Sequence, residues 1–175
     1  MMVDANISDE PKPHLIFVYG TLKKGFPNHA LMEDLISTDD AVLVGKYFTQ
    51  HPYPLVCGPY GIPYLINLPR SGHRITGELY SVSSRGLERL DELEGIRIGH
   101  YERLPIRAAD GAVSVDAEAY FAHRTFGEGL WRKKGHVGIS EYEEKHAREY
   151  VRIQDRPSGS SVLDAVIGFV SCTGN

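Results

Sequence analysis

Cysteine is scarce in this chain. Its 175 residues include two, Cys57 and Cys172, too few and too far apart for a disulfide framework or a paired-cysteine zinc site. Reduced thiols in a cytoplasmic setting are the expectation. Basic clusters are missing too. Lys and Arg number 19 against 23 Asp and Glu, a net charge of −4, and no dense cationic stripe appears, which argues against nucleic acid as a partner. No apolar run approaches the length of a membrane span, so no membrane role is expected. The acidic opening residues lack the apolar segment of a secretory signal. The eight histidines are scattered. None forms a helical i, i+4 pair around a glutamate, and no Cys/His cluster exists, so no metal is expected. There is no Gly-x-Ser-x-Gly, and Cys57 has no nucleophile signature around it, which argues against a Ser or Cys hydrolase.

What the chain does have is an ordinary globular balance, 42% hydrophobic and 24% charged, enough for one domain with a sizeable core. Its most organised stretch runs from His14 to Gly25. Leu15 to Val18 read as a buried strand, short and rich in Ile, Val and Phe. The pattern then breaks into Tyr19-Gly20-Thr21-Leu22-Lys23-Lys24-Gly25, where two glycines bracket a turn. The glycine spacing fits a phosphate loop, but Phe26-Pro27 stands where Lys-Ser/Thr is required, so the nucleotide reading fails. A nest of backbone amides suited to a carboxylate or a developing oxyanion survives. Lys23 and Lys24 read as a solvated pair.

Residues 1–13 read as a flexible extension, 14–155 as the domain and 156–175 as a tail that could pack on it. Strands are expected at 14–19, 41–48, 53–57, 62–68 and 75–82. The prolines at 52, 54, 59, 63 and 69 make the middle ones short edge strands, and Gly77 marks a bulge or a close backbone approach. Asn28 is a candidate cap for a short helix through Ile36. Ser83 or Ser84 caps a second helix to Glu94, stopped by Gly95. Asp110-Gly111 signals a hairpin between strands at 101–108 and 112–121. Arg124 to Gly138 reads as loop, with Trp131 to Lys134 at the surface. Ser140 is a candidate cap for a helix within 139–152. Many strands with one well-formed helix suggest a small α+β domain resembling a closed or nearly closed barrel.

The second helix carries the best candidate for acid–base work. Leu87, Leu90 and Leu93 face the core, leaving Glu88, Asp91 and Glu92 solvated. Glu94 sits one turn beyond Leu90, at the buried edge. A carboxylate at a helix C-terminus opposes the macrodipole, which together with desolvation raises its pKa toward that of a general base. On the pattern alone, an exposed helix-end glutamate is the simpler reading.

These segments, in order, resemble the gamma-glutamylaminecyclotransferase family within the wider gamma-glutamyl cyclotransferase-like superfamily. The resemblance rests on Phe17 to Gly25 with Pro27-Asn28-His29, on Pro52 to Val56, Ile62 to Leu65 and Gly77 to Tyr80, and on Leu90 to Glu94 followed by Tyr101-Glu102-Arg103. It covers roughly residues 15 to 121. It implies a small mixed β-barrel-like α+β domain, a cofactor-free monomer and a small-molecule gamma-glutamyl amine substrate. The implied reaction releases an amine such as lysine from epsilon-(gamma-glutamyl)-lysine, a product of crosslink degradation, and forms 5-oxoproline. Carried over by position, Glu94 matches the catalytic glutamate. Tyr19, Gly20, Thr21 and Leu22 line the substrate site, Tyr101 matches a pocket aromatic, and Tyr142 matches a second tyrosine. Two alternatives stay open: a gamma-glutamyl amino acid cyclotransferase, and a non-catalytic binding module on the same fold.

Overall fold

The computed structural model describes residues 11–159 and 161–172. The first ten residues of the expected extension lie outside the described residues. The strands are β1 (His14–Val18), β2 (Ala41–Thr49), β3 (Leu55–Cys57), β4 (Pro63–Leu65), β5 (Thr76–Val82), β6 (Tyr101–Asp110) and β7 (Val113–Ala122). The helices are α1 (His29–Ser37), α2 (Ser84–Leu93), α3 (Gly127–Lys133), α4 (Glu144–Ala147) and α5 (Val162–Ser171). Strands β1, β5, β2, β6 and β7 pair in that order, and a parallel bridge from Ile16 to Glu118 joins β7 back to β1. The result is a closed five-stranded barrel, which leaves no free edge within the ring. The β3–β4 hairpin joins β7 through Leu65 and Phe121.

Closure explains why β1 is apolar without a break. Alternate residues of a strand point to opposite faces, and here both faces are covered. Phe17 packs with Leu79, Ile106, Ala117, Ala119 and Phe121 in one core, the barrel interior. Ile16 and Val18 belong to a second core with Tyr80, Val82 and the helix residues Met32, Leu35, Leu87 and Leu90. Gly77 is a point of close approach, as expected: a Cβ there would lie 2.4 Å from the Val18 carbonyl oxygen and 2.6 Å from the Phe17 ring. The bulge falls elsewhere, in β2 between Leu43 and Gly45.

The prolines do confine β3 and β4 to three residues each; β3 is an edge strand as expected, but β4 is not, since it pairs with β3 on one side and β7 on the other. Gly111 opens the two-residue turn of the long β6–β7 hairpin, with φ of 62°. Ser83 caps α2, accepting the Gly86 amide at 3.0 Å. Asn28 precedes α1, but its side chain does not cap it. The Asn28 amide group is committed to the loop, donating to Thr21 Oγ1 at 2.8 Å and to the Tyr150 hydroxyl at 3.1 Å.

The second half of the chain departs most from expectation. Arg124 to Gly138 is not plain loop. It contains α3, whose Leu130 and Trp131 are buried in the outer core. Apolar residues this sparse gave no helical period, and tertiary packing supplies what propensity lacks. The expected helix within 139–152 shrinks to the single turn of α4, with Glu143 rather than Ser140 at its cap; the Ser140 carbonyl instead accepts the Thr76 amide. The apolar stretch at 162–170 forms α5, opened by a capping box between Ser161 and Asp164. Its Val166 is fully buried against the outer core.

Candidate active site

Where β1 ends, the loop from Tyr19 folds back on itself. Lys23 N–H donates to the Gly20 carbonyl at 3.1 Å, and Asn28 N–H to the Thr21 carbonyl at 2.8 Å. Gly20 is required by crowding, since a Cβ would sit 2.6 Å from the Pro63 ring. The amides of Gly20, Thr21 and Leu22 have no acceptor among the described residues. An amide left unpaired in a folded protein is a donor waiting for water or ligand.

A cavity of about 360 Å³ opens against this loop. Tyr19, Gly20, Thr21 and Leu22 form one wall, and Glu94 and Tyr101 line the same space. Two segments far apart in sequence thus converge: the turn after β1 and the C-terminal end of α2. Glu94 is the C-cap of α2, and Gly95 follows with φ of 65°, the left-handed residue that ends the helix. The glutamate is partly open, yet the space it opens to is the cavity, whose walls surround the carboxyl group. No donor bonds its carboxylate among the described residues. Burial, and then the charge of Asp91, push its pKa up to about 8. A carboxyl group in that state can hold or surrender a proton near neutrality.

The groups behind Glu94 are tightly held. Asp91 is not simply solvated. It pairs with Arg103 and accepts the Tyr120 hydroxyl at 2.7 Å. Its hydrogen bond to Arg103, foremost, keeps the guanidinium firmly protonated. The Tyr120 carbonyl accepts the Tyr19 hydroxyl at 2.6 Å. Tyr101 donates to the Pro63 carbonyl at 2.7 Å. Burial raises both Tyr19 and Tyr101 well above the usual phenol range, so they act as fixed neutral donors and as walls. Tyr64 stacks on Tyr101 at 5.2 Å, and its hydroxyl meets His100 Nε2 at 2.6 Å. Burial, with Arg156, lowers His100 to about 4, which leaves it neutral at physiological pH.

Tyr142 does not line this cavity. It is fully buried beside the loop, its hydroxyl donating to the Gly61 carbonyl at 3.0 Å. Its own carbonyl accepts Lys23 Nζ at 2.6 Å. Lys23 is therefore no solvated charge: it is 5% exposed, and burial lowers its pKa. It ties the loop to the segment before α4. The tyrosine that reaches the cavity from the described residues after β7 is Tyr150, together with Arg156 and Val162. These residues, and His100, carry no motif or periodicity that singles them out in the sequence. Among the described residues, no three His, Cys, Asp or Glu side chains gather as a cation site, and no helix is long and apolar enough to cross a membrane.

The sequence pattern of the family described as gamma-glutamyl cyclotransferase, AIG2-like, matches residues 16–141. An Arabidopsis thaliana protein with a provisional gamma-glutamylcyclotransferase name is 50% identical over 171 residues, covering 90% of this chain and 91% of that one. Gamma-glutamylaminecyclotransferase B of Danio rerio is 38% identical over 146 residues, 81% of this chain and 75% of that one. The match to the bovine gamma-glutamylaminecyclotransferase spans 47% of that protein's length. Among solved structures, a mouse AIG2-like protein superposes with a TM-score of 0.57 at 36% identity, over 62% of this chain and 76% of that one.

Proposed function

Because the chain belongs to the gamma-glutamyl cyclotransferase, AIG2-like family, we propose that it is a cyclotransferase releasing lysine from epsilon-(gamma-glutamyl)-lysine and related gamma-glutamyl amines, with 5-oxoproline as the other product. Glu94 is its general acid and base. The observation that carries this reading is the convergence of an unpaired carboxyl group, raised to about 8, and three unpaired amides on one cavity.

The substrate supplies its own nucleophile. Its α-ammonium gives a proton to the Glu94 carboxylate, and the freed amine attacks the γ-carbonyl carbon. A five-membered ring closes as the new C–N bond forms. The charge that develops on the carbonyl oxygen suits donors of the Gly20–Leu22 kind. As the old C–N bond breaks, Glu94 returns its proton to the departing nitrogen. Two protons leave the attacking nitrogen in all, and both end on the released amine, so the carboxylate is regenerated. Holding a flexible chain in the shape for ring closure is a large share of the work. The cavity is of a size to enclose such a chain, and its tyrosines form rigid walls.

The Danio rerio relative's name favours a gamma-glutamyl amine as substrate. The Arabidopsis relative's name, at higher identity, keeps gamma-glutamyl amino acids as the second reading. Incubation with the isopeptide and with a panel of gamma-glutamyl amino acids, assayed for 5-oxoproline, separates the two. The expectation is faster turnover of the isopeptide. Loss of general acid–base catalysis in Glu94→Gln lowers kcat by about 10²–10⁴-fold. Turnover of none of these compounds would refute the function.

A further inference from the structure

Arg156 is the cation of the cavity wall that the reaction scheme leaves without work. It lies beyond residues 16–141, the stretch matched by the family pattern, in the segment between α4 and α5. It lines the cavity that Glu94 lines, and no carboxylate pairs with it among the described residues. Its side chain is nonetheless fixed. Nε donates to the Val151 carbonyl at 2.9 Å and Nη2 to the Tyr150 hydroxyl at 3.1 Å. The guanidinium lies over the rings of Tyr60 and Tyr150, 5.4 and 5.5 Å from their centres. Aromatic faces and neutral acceptors hold the group in place without neutralising it. Nη1 has no acceptor among the described residues. A pre-set guanidinium with donors to spare is the group that matches a carboxylate.

The position of this charge selects which carboxylate. Arg156 is held against Tyr60, Tyr150 and Val151, whereas Glu94 ends α2, so the two enter the cavity from different elements of its wall. The reacting α-amine must meet Glu94, and the glutamyl α-carboxylate sits on the same carbon as that amine. A cation set apart from Glu94 suits a carboxylate further along the substrate, on the amine that leaves. In the isopeptide, that carboxylate lies at the far end of the lysine side chain.

Resting on the cyclotransferase reading, we propose that Arg156 is a specificity residue, which binds the carboxylate of a long leaving amine through its guanidinium. The preference for amino-acid leaving groups over plain amines then comes from the second half of the chain rather than from the loop after β1.

The test compares epsilon-(gamma-glutamyl)-lysine with gamma-glutamyl-1,5-diaminopentane, which differs only in lacking the lysine carboxylate. The readout is the ratio of their kcat/KM values in wild type, Arg156→Met and Arg156→Lys. A charge-assisted hydrogen bond predicts a wild-type ratio of about 10–100. The ratio falls near one in Arg156→Met, chiefly through KM of the isopeptide, and recovers in part in Arg156→Lys. Melting curves of both variants check that the segment stays folded, and the ratio does not depend on the fraction that does. A wild-type ratio near one, or an unchanged ratio in Arg156→Met, overturns the proposal while the cyclotransferase reading stands. If wild type forms 5-oxoproline from neither compound, the reading fails and takes the proposal with it.

Discussion

Single residues decide the chemistry, and Glu94 shows how position creates a functional group. Ending α2 places the carboxylate where the helix dipole disfavours its charge, and the cavity walls then strip away its water. The cost appears in stability. Glu94 has a folded pKa of about 8 against an ordinary 4.5, so the folded protein binds the proton more tightly than the unfolded chain does. Stability from this group is complete below about pH 4.5, declines as pH rises, and is gone above about 8. Glu94→Gln should therefore melt higher than wild type at pH 8.5, and the gap should narrow toward pH 5. A scanning melt at the two pH values checks this. The candidate glutamate was legible in the sequence because leucine spacing, helix stop and motif order coincide on it. His100 and Arg156 were not, since a buried neutral histidine and a cavity arginine look like any surface residue until their surroundings are known. Tyr142 enters only by position in the family resemblance; the tyrosine after β7 that lines the cavity is Tyr150.

At the scale of elements, α2 is the lever that sets Glu94. Its start is fixed by Ser83, whose hydroxyl also donates to Asp40 Oδ1 at 2.7 Å. Burial of Asp40 works against its charge, but hydrogen bonds from Thr38, Ser83 and Arg85 prevail and hold its carboxyl below the ordinary range. Ser83→Ala removes the cap and one hydrogen bond to Asp40, whose two oxygens keep Thr38 and Arg85. A loss of about 1–2 kcal/mol is expected, read from denaturant midpoints at constant m-value. Elements with strong local signals, the β6–β7 hairpin and the capped α2, were readable in the chain. Elements made by packing, such as α3, were not. Its residues Leu130 and Trp131 are buried by the fold around them, and nothing nearby in sequence announces that.

The whole molecule is a device for bringing two remote segments together. Closing five strands into a ring sets β1 beside both β5 and β7. The loop after β1 and the end of α2 then face one cavity, and Tyr150, Arg156 and Val162 complete its wall. A small mixed barrel was legible from strand count and motif order. Strand order and closure were not, because pairing partners are set by three-dimensional fit. The central claim is that Glu94 moves the protons of ring closure, and the pH dependence of kcat/KM with the isopeptide tests it most directly. In wild type, kcat/KM should rise about tenfold per pH unit through the acid range and level off near pH 8, where free Glu94 loses its proton. In Glu94→Gln it should be lower throughout and lack that limb. Full activity with the same limb in Glu94→Gln would contradict the account.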